Sequence, residues 1–186
     1  QTDITEKFKA ENLAVLETGA IVINDFEDAT KFAVDNENST QSTCELSKNT
    51  TKLFGTACLN LKYTFTQNSG GKTYVTYPVS AEVFTSNDML SLYVFGDISL
   101  NRIQLEMVSG DETKLVDMGI INYLGWQKKS VNLVQTLTSG KEYMLKGIIL
   151  TQENNLQGLN GAVRFDNLVK LPNQGGIDDV NFAGIT

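Results

Sequence analysis

Residues 57–66 have the sequence ACLNLKYTFT, in which apolar and polar side chains alternate. Because successive side chains of a strand point to opposite faces, this period of two predicts a half-buried β-strand. A turn is predicted over 68–71 (NSGG), and a second strand over 74–79. Pro78 has no backbone N–H to donate, so it places that second strand at an edge or a bulge.

Short segments of this kind continue along the chain and are separated by polar, glycine-containing turns. Together with a β-branched run at the start, they predict strands at 20–23, 42–46, 57–66, 74–79, 90–95, 102–108, 114–118, 125–133, 142–151 and 162–171. No strong helical period appears after residue 20. At least eight short strands with polar outer faces predict an all-β, antiparallel sandwich of the jelly-roll type.

The two ends of the chain follow other patterns. Residues 3–16 contain helix formers, and both a short helix and a docked extended arm are consistent with them. The stretch 172–176 (PNQGG) is typical of a linker. We therefore predict an N-terminal arm over 1–19, a β-sandwich domain over 20–171, and a linker and tail over 172–186.

The composition excludes several functions. The sequence contains no histidine and only two cysteines, so it has no Ser-His-Asp or Cys-His nucleophile system and no histidine-based or four-cysteine zinc site. Its net charge of −7 disfavours binding to nucleic acid, which needs a basic surface. No apolar run approaches the roughly 18 residues needed for a membrane span.

The first residue is Gln1, and the Asn, Thr and Ser content is typical of exported β-proteins. We therefore expect the protein outside the cytoplasm, at the cell surface, in the periplasm or in the medium. Cys44 and Cys58 lie in predicted strands that follow each other in the chain, so a cross-strand disulfide and two free thiols are both open.

Three motifs carry a resemblance to a known family. They are INDFED at 23–28, LYVFGD at 92–97 with the later Gly125-Trp126, and VRFDNL at 163–168. Through them, the segment from about 21 to 171 resembles the galactose-binding-like β-jelly-roll modules of carbohydrate-active proteins. It is most similar to the sandwich modules attached to bacterial phosphodiester glycosidases. The resemblance implies a bacterial, non-catalytic carbohydrate-binding module.

The resemblance also implies a structural calcium ion. Related modules hold one near the first and last strands, and Glu27 and Asp166 match those positions. With Asp25, they are the carboxylates that we expect to converge there, since these strands are neighbours in a jelly roll. The alternative is that they are solvated turn acids or local caps.

Polar and aromatic side chains on two strands suggest a binding face. Tyr93 and Phe95, and likewise Arg102, Gln104 and Glu106, alternate away from aliphatic neighbours, so we expect them on the outer face of one sheet. Such a face binds glycan hydroxyls through paired hydrogen bonds. Three further tyrosines are candidates for the same face: Tyr74, Tyr77 and Tyr123. An ordinary solvent face or an interface to an adjacent domain is the alternative. Trp126 is either a sugar-stacking platform or a packing residue.

The predicted function is non-catalytic binding of a polysaccharide or glycan, and a neighbouring catalytic domain is a further expected partner. A structural domain that packs against another domain or protein is the second hypothesis. A third is a glycoside hydrolase, which needs two carboxylates across the scissile bond; Asp97 and Asp117 are the candidates.

Overall fold

The computed structural model describes residues 16–35, 42–65, 70–78, 82–153 and 159–171. The predicted helix or arm lies almost wholly outside these residues, and so does the tail. The division into arm, sandwich and tail therefore stays a prediction.

The described residues form eleven strands and two short 3-10 helices. In chain order they are β1 Ile21–Asn24, η1 Ala29–Lys31, β2 Ala33–Asp35, β3 Ser42–Asn49, β4 Cys58–Phe65, β5 Lys72–Thr76, β6 Met89–Asp97, β7 Arg102–Ser109, β8 Glu112–Ile120, β9 Leu124–Asn132, η2 Leu133–Gln135, β10 Met144–Thr151 and β11 Asn160–Leu171. None of the helices in this part of the chain is long and apolar enough to cross a membrane.

The strands form two sheets in which every pairing is antiparallel. The six-stranded sheet has the order β3-β4-β11-β6-β9, with β1 also paired to β11. The five-stranded sheet has the order β2-β5-β10-β7-β8. The predicted all-β antiparallel sandwich is confirmed, and so is the pairing of the first strand with the last.

The core lies between the two sheets, where one side chain in two points inward. The inward residues of β4, β6 and β7 are almost fully buried, including Leu59, Leu61, Leu92, Val94, Ile103 and Leu105. Burying an aliphatic side chain of this size contributes about 1.5–3 kcal/mol. The alternation seen in the sequence therefore decides which face of each strand meets the other sheet.

Some strand boundaries differ from the prediction. The strand β5 ends at Thr76, so Pro78 lies beyond it and leaves its ladder intact. The edge position that Pro78 predicted is wrong, because β5 pairs with β2 on one side and with β10 on the other. The strand β9 ends at Asn132, whose side chain accepts the backbone N–H of Val134 and begins η2. The short strand β2, Ala33–Asp35, was not predicted.

The register of β3 on β4 decides the state of the cysteines. Cys44 pairs with Tyr63, whereas Cys58 pairs with Asn49. The two cysteines are thus five residue pairs apart along the ladder, which is about 17 Å. A disulfide needs Cα atoms within about 4.4–6.8 Å. Both are free thiols, and burial raises the pKa of Cys44 and raises that of Cys58 to about 11.

One acidic side chain joins β8 to the segment before β10. Glu112 accepts hydrogen bonds from the Tyr143 hydroxyl, from Lys141 Nζ at 2.9 Å and from Thr138 Oγ1 at 3.1 Å. The Tyr143 hydrogen bond is the main cause that lowers the pKa of Glu112 to about 2, followed by that of Lys141. The ionised carboxylate is therefore part of the native contact.

Candidate functional site

The structure divides the eight predicted ligand residues among three places. Four lie on the outer face of the five-stranded sheet: Tyr74, Arg102, Gln104 and Glu106. Two lie on the outer face of the six-stranded sheet, Tyr93 and Phe95. The remaining two, Tyr77 and Tyr123, lie in the core. The expectation that Tyr93 and Arg102 face outward from one sheet is wrong, because β6 pairs with β11 and β9 while β7 pairs with β10 and β8.

The outer face of the five-stranded sheet presents a polar row along β7. Arg102, Gln104 and Glu106 are half-buried and alternate with core residues. At about 3.3 Å per residue, the row is about 13 Å long. It is therefore longer than one sugar ring and suits an extended ligand.

An aromatic ring is fixed beside this row. Tyr74 on β5 donates its hydroxyl to Glu106 Oε1 at 3.0 Å. The ring reaches Glu106 by lying across Gly147 of β10, where an added Cβ would stand only 2.3 Å from Tyr74 Cζ. The position of the ring thus requires a glycine at 147, because any side chain there would occupy the same space. The ring packs on the backbone of Gly147, and its hydroxyl is held by Glu106.

Two carboxylates fix the guanidinium at one end of the row. Arg102 donates from Nε to Glu153 Oε1 at 2.7 Å and from a terminal nitrogen to Asp117 Oδ2 at 2.6 Å. The hydrogen bond to Glu153, and then that to Asp117, raise the pKa of Arg102. The row therefore combines a fixed cation, an amide, a carboxylate and an aromatic ring, which are the groups that bind hydroxyls and the apolar face of a sugar.

The outer face of the six-stranded sheet is partly covered by the loop between β3 and β4. Phe54 of this loop packs edge-on against Tyr93, with ring centroids 4.9 Å apart. Tyr93 is consequently only 1% exposed. It points outward as predicted, but the loop separates it from solvent.

Beyond the loop, three side chains from neighbouring strands meet on the same face. Arg164 of β11 pairs with Phe95 of β6, which pairs with Trp126 of β9. The Arg164 Cζ atom lies 4.5 Å from the Phe95 ring centroid, and the Phe95 and Trp126 centroids are 5.5 Å apart. Arg164 was not singled out in the sequence, although it alternates away from the core residues Val163 and Phe165.

The other two candidates, Tyr77 and Tyr123, are packing residues. Tyr77 follows β5 and contacts Phe32 edge-on in the core. Tyr123 precedes β9 and lies against Gly96, where an added Cβ would stand 2.6 Å from its ring. Burial raises the pKa of Tyr77 to about 12. Both hydroxyl-bearing rings are therefore largely withdrawn from solvent.

The predicted metal ligands hold the β3–β4 loop in place. Asp166 Oδ2 accepts the backbone N–H groups of Leu53 and Phe54 at 2.7 and 2.8 Å. Glu27 accepts the backbone N–H of Thr56 at 2.6 Å and also its hydroxyl. The chain thus supplies donors to both carboxylates.

The same two carboxylates retain some capacity for a cation. Asp166 is fully buried, and its Oδ1 atom has no hydrogen-bond partner among the described residues. Burial raises the pKa of Asp166, and the charge of Glu27 adds to this effect. Asp25 Oδ1 accepts the backbone N–H of Glu27 at 3.2 Å, in a turn of its own chain segment. No three acidic, cysteine or histidine side chains form a metal-binding group within the described ranges.

The two carboxylates considered for catalysis lie in different sheets. Asp97 at the end of β6 accepts the hydroxyl of Tyr63 at 2.6 Å. Asp117 on β8 is bound to Arg102. Each of the two carboxylates is thus bound by a side chain of its own sheet.

Comparisons with known proteins give structural matches. No family model matches the sequence, and no curated protein matches it. The fold is similar to that of the family 11 carbohydrate-binding module from Clostridium thermocellum in complex with a β-1,3-1,4-mixed-linked tetrasaccharide, with a TM-score of 0.58 and 12% identity over 84% of this chain and 98% of that one. The family 30 carbohydrate-binding module of a cellulosomal cellulase of Clostridium thermocellum has a TM-score of 0.54 and 10% identity over 83% of this chain and 98% of that one.

A third match is a part of a larger protein. The Endo-D glycoside hydrolase domain structure from Streptococcus pneumoniae has a TM-score of 0.54 and 11% identity, over 75% of this chain but only 21% of that chain. At identities this low, the matches establish the fold. The chain is an antiparallel β-sandwich. More narrowly, its fold is similar to that of β-sandwich carbohydrate-binding modules, as the resemblance in the sequence predicted.

Proposed function

We propose that this chain binds a polysaccharide or glycan without catalysis, through the outer face of its five-stranded sheet. The observation that carries the proposal is the position of Tyr74, whose ring lies over Gly147 and whose hydroxyl is bound to Glu106. A ring fixed before binding loses little conformational entropy when a sugar stacks on it.

Arg102 and Gln104 extend the site along β7. They supply donors and an acceptor for sugar hydroxyls, at a spacing that several sugar units are needed to span. We therefore expect affinity to increase with oligosaccharide length. The fold alone does not assign a ligand, but the similar family 11 module is described in complex with a mixed-linked β-glucan tetrasaccharide. That tetrasaccharide is the first probe to use.

The test is isothermal titration of the tetrasaccharide into the wild type and matched variants. We expect Tyr74→Ala to weaken binding at least about tenfold, and Tyr74→Phe to weaken it less, because the ring stays and only the hydroxyl is lost. Gln104→Ala should also weaken binding. The control Gln127→Ala removes an exposed amide from β9 in the other sheet and should bind like the wild type.

Two results would overturn the proposal. One is the absence of binding to the tetrasaccharide and to a panel of other neutral polysaccharides. The other is binding that Tyr74→Ala and Gln104→Ala leave unchanged, which would place the ligand elsewhere on the sandwich.

A second proposal concerns calcium. A Ca²⁺ ion takes oxygen ligands, and the Glu27–Asp166 pair offers two carboxylates. One oxygen of Asp166 is buried and has no hydrogen-bond partner in the part of the chain that the structure describes. We propose that these two side chains hold a structural calcium ion together with backbone oxygens. The ion would stabilise the β3–β4 loop rather than contact the sugar on the other sheet.

The third proposal concerns the setting of the module. We propose that the module acts outside the cytoplasm and that a catalytic domain lies beside it in the same protein. The match to one part of an Endo-D structure supports the neighbouring catalytic domain, since a comparable sandwich forms a segment of that larger protein. Fractionation of the native host, with the protein sought in the medium, on the surface and in the periplasm, tests the location; recovery from the cytoplasm alone would contradict it.

A further inference from the structure

The outer face of the six-stranded sheet carries a cluster that the proposed site does not use. It consists of Arg164, Phe95 and Trp126, which occupy one register row on three adjacent strands. The guanidinium lies 4.5 Å from the Phe95 ring centroid, and Phe95 meets Trp126 edge-on at 82°. All three side chains are half-buried, so each is fixed by its neighbours and still reaches solvent.

The charge of Arg164 is not neutralised within the described part of the chain. It forms no ion pair there, and its Nε atom is buried without a hydrogen-bond partner. Arg102 differs in this respect, because two carboxylates bind it. A guanidinium presents a planar fork of donors that matches a carboxylate. The stacked ring sets the direction of that fork.

The charged neighbours on this face do not supply the missing partner. Asp166 is on the same strand two residues away, but it is fully buried and its Oδ2 atom is bound by the β3–β4 loop. Lys128 forms an ion pair with Glu17, and Lys62 lies 3.9 Å from Glu45. Within the described residues, the guanidinium of Arg164 therefore lacks a carboxylate partner, and an added anion can take that place.

The aromatic part of the cluster indicates what else the anion carries. Trp126 provides a flat apolar ring beside the guanidinium, and Leu124, 70% exposed, continues the apolar surface two residues before it on β9. A pyranose ring stacks its apolar face on such a surface. A sugar that also bears a carboxylate would meet both parts of the cluster at once.

We propose that Arg164, Phe95 and Trp126 form a second binding site, specific for uronic acid residues of an acidic polysaccharide. The site is independent of the one on the five-stranded sheet. Arg164 binds the sugar carboxylate through its paired donors, and Trp126 stacks on the ring. Because the contact is ionic and partly exposed, added salt weakens it.

The test uses Trp126 as its own reporter, since it is the only tryptophan in the sequence. Its fluorescence is followed while a β-1,4-linked glucuronic acid trisaccharide is added, and in parallel with cellotriose, which has a hydroxymethyl group in place of each carboxylate. We expect a saturable change with the acidic trisaccharide only. Arg164→Gln should weaken that binding at least about tenfold, while Lys31→Gln, which removes an exposed charge elsewhere, should not.

Thermal melts of both variants show whether they fold, and Arg164→Lys gives a second measurement, because it keeps the charge and loses the fork. The proposal is overturned by equal responses to the two trisaccharides, by no response to either, or by equal weakening in Arg164→Gln and Lys31→Gln. Cellotriose that binds by calorimetry without changing the fluorescence would support the separate site on the other sheet. The two proposals can therefore fail separately.

Discussion

Replacing Gly147 by alanine tests whether Tyr74 is held across the five-stranded sheet. The added methyl carbon would stand 2.3 Å from Tyr74 Cζ and 2.6 Å from its hydroxyl oxygen. Carbon atoms in contact are normally about 3.5–4.0 Å apart. The ring must therefore move by more than about 1 Å, which breaks the hydrogen bond to Glu106.

The size of the effect follows from how the ring can move. Tyr74 is half-buried, so it can turn toward solvent instead of distorting the backbone. The loss of its hydrogen bond and packing costs about 1–2 kcal/mol. Alanine restricts the unfolded chain more than glycine does, which returns about 0.4–1 kcal/mol. The net loss of stability is then about 0–1.6 kcal/mol, and the melting temperature falls by up to about 6 °C.

A double-mutant cycle isolates the contact. In the Tyr74→Ala background no ring opposes the methyl group, so Gly147→Ala should be neutral or stabilising there. Urea unfolding of the wild type, both single variants and the double variant gives the coupling free energy, which we expect at about 1–2 kcal/mol. Equal destabilisation by Gly147→Ala in both backgrounds would show that the methyl group does not meet the ring.

Three further predictions follow from the described contacts. The pKa of Glu112 is lowered from its usual 4.5 to about 2, so its contribution to stability is present above pH 4.5 and is lost as the pH falls toward about 2. Glu112→Gln should therefore remove this part of the pH dependence of the melting temperature. The same pH profile in Glu112→Gln and in the wild type would contradict this role of Glu112. Calcium bound to the Glu27–Asp166 pair, at about 100 times its dissociation constant, stabilises the fold by about 2.7 kcal/mol. A chelator should therefore lower the melting temperature of the wild type but not that of Asp166→Asn. A wild-type melting temperature that the chelator leaves unchanged would contradict the calcium site. Cys44 and Cys58 should alkylate slowly at pH 8 in the native protein and both react in denaturant without any reductant, as followed by intact mass; no labelling in denaturant would indicate a disulfide.

The sequence predicts the local part of this fold well. A period of two depends only on neighbouring residues, so the alternation at 57–66 identifies β4 and its core face, including Leu59 and Leu61. The same rule correctly points Tyr93 and Arg102 away from the core. Where a strand pairs is a long-range property, and alternation carries no information about it.

This limit explains the errors in the candidate site. Two strands that follow each other in the chain, β6 and β7, belong to different sheets, so the predicted single face separates into two. Tyr77 and Tyr123 lie just outside β5 and β9, and both enter the core. For Tyr77 the sequence does contain a signal, because the alternation of β5 continues through it and places its side chain on the face opposite that of Tyr74. Phe54 covers Tyr93 because the β3–β4 loop lies on this face of the sheet. Backbone N–H groups of the loop hold it there by donating to Asp166, and backbone groups carry no sequence signal.

An NMR titration that follows the backbone amides while the mixed-linked β-glucan tetrasaccharide is added locates the glycan on the sandwich. It reports which of the two outer faces the ligand meets. We expect saturable shifts along β5, β7 and β10, centred on Tyr74, Gln104 and Gly147. Shifts confined to β6, β9 and β11, or no shifts with this or any other neutral glycan, would contradict it.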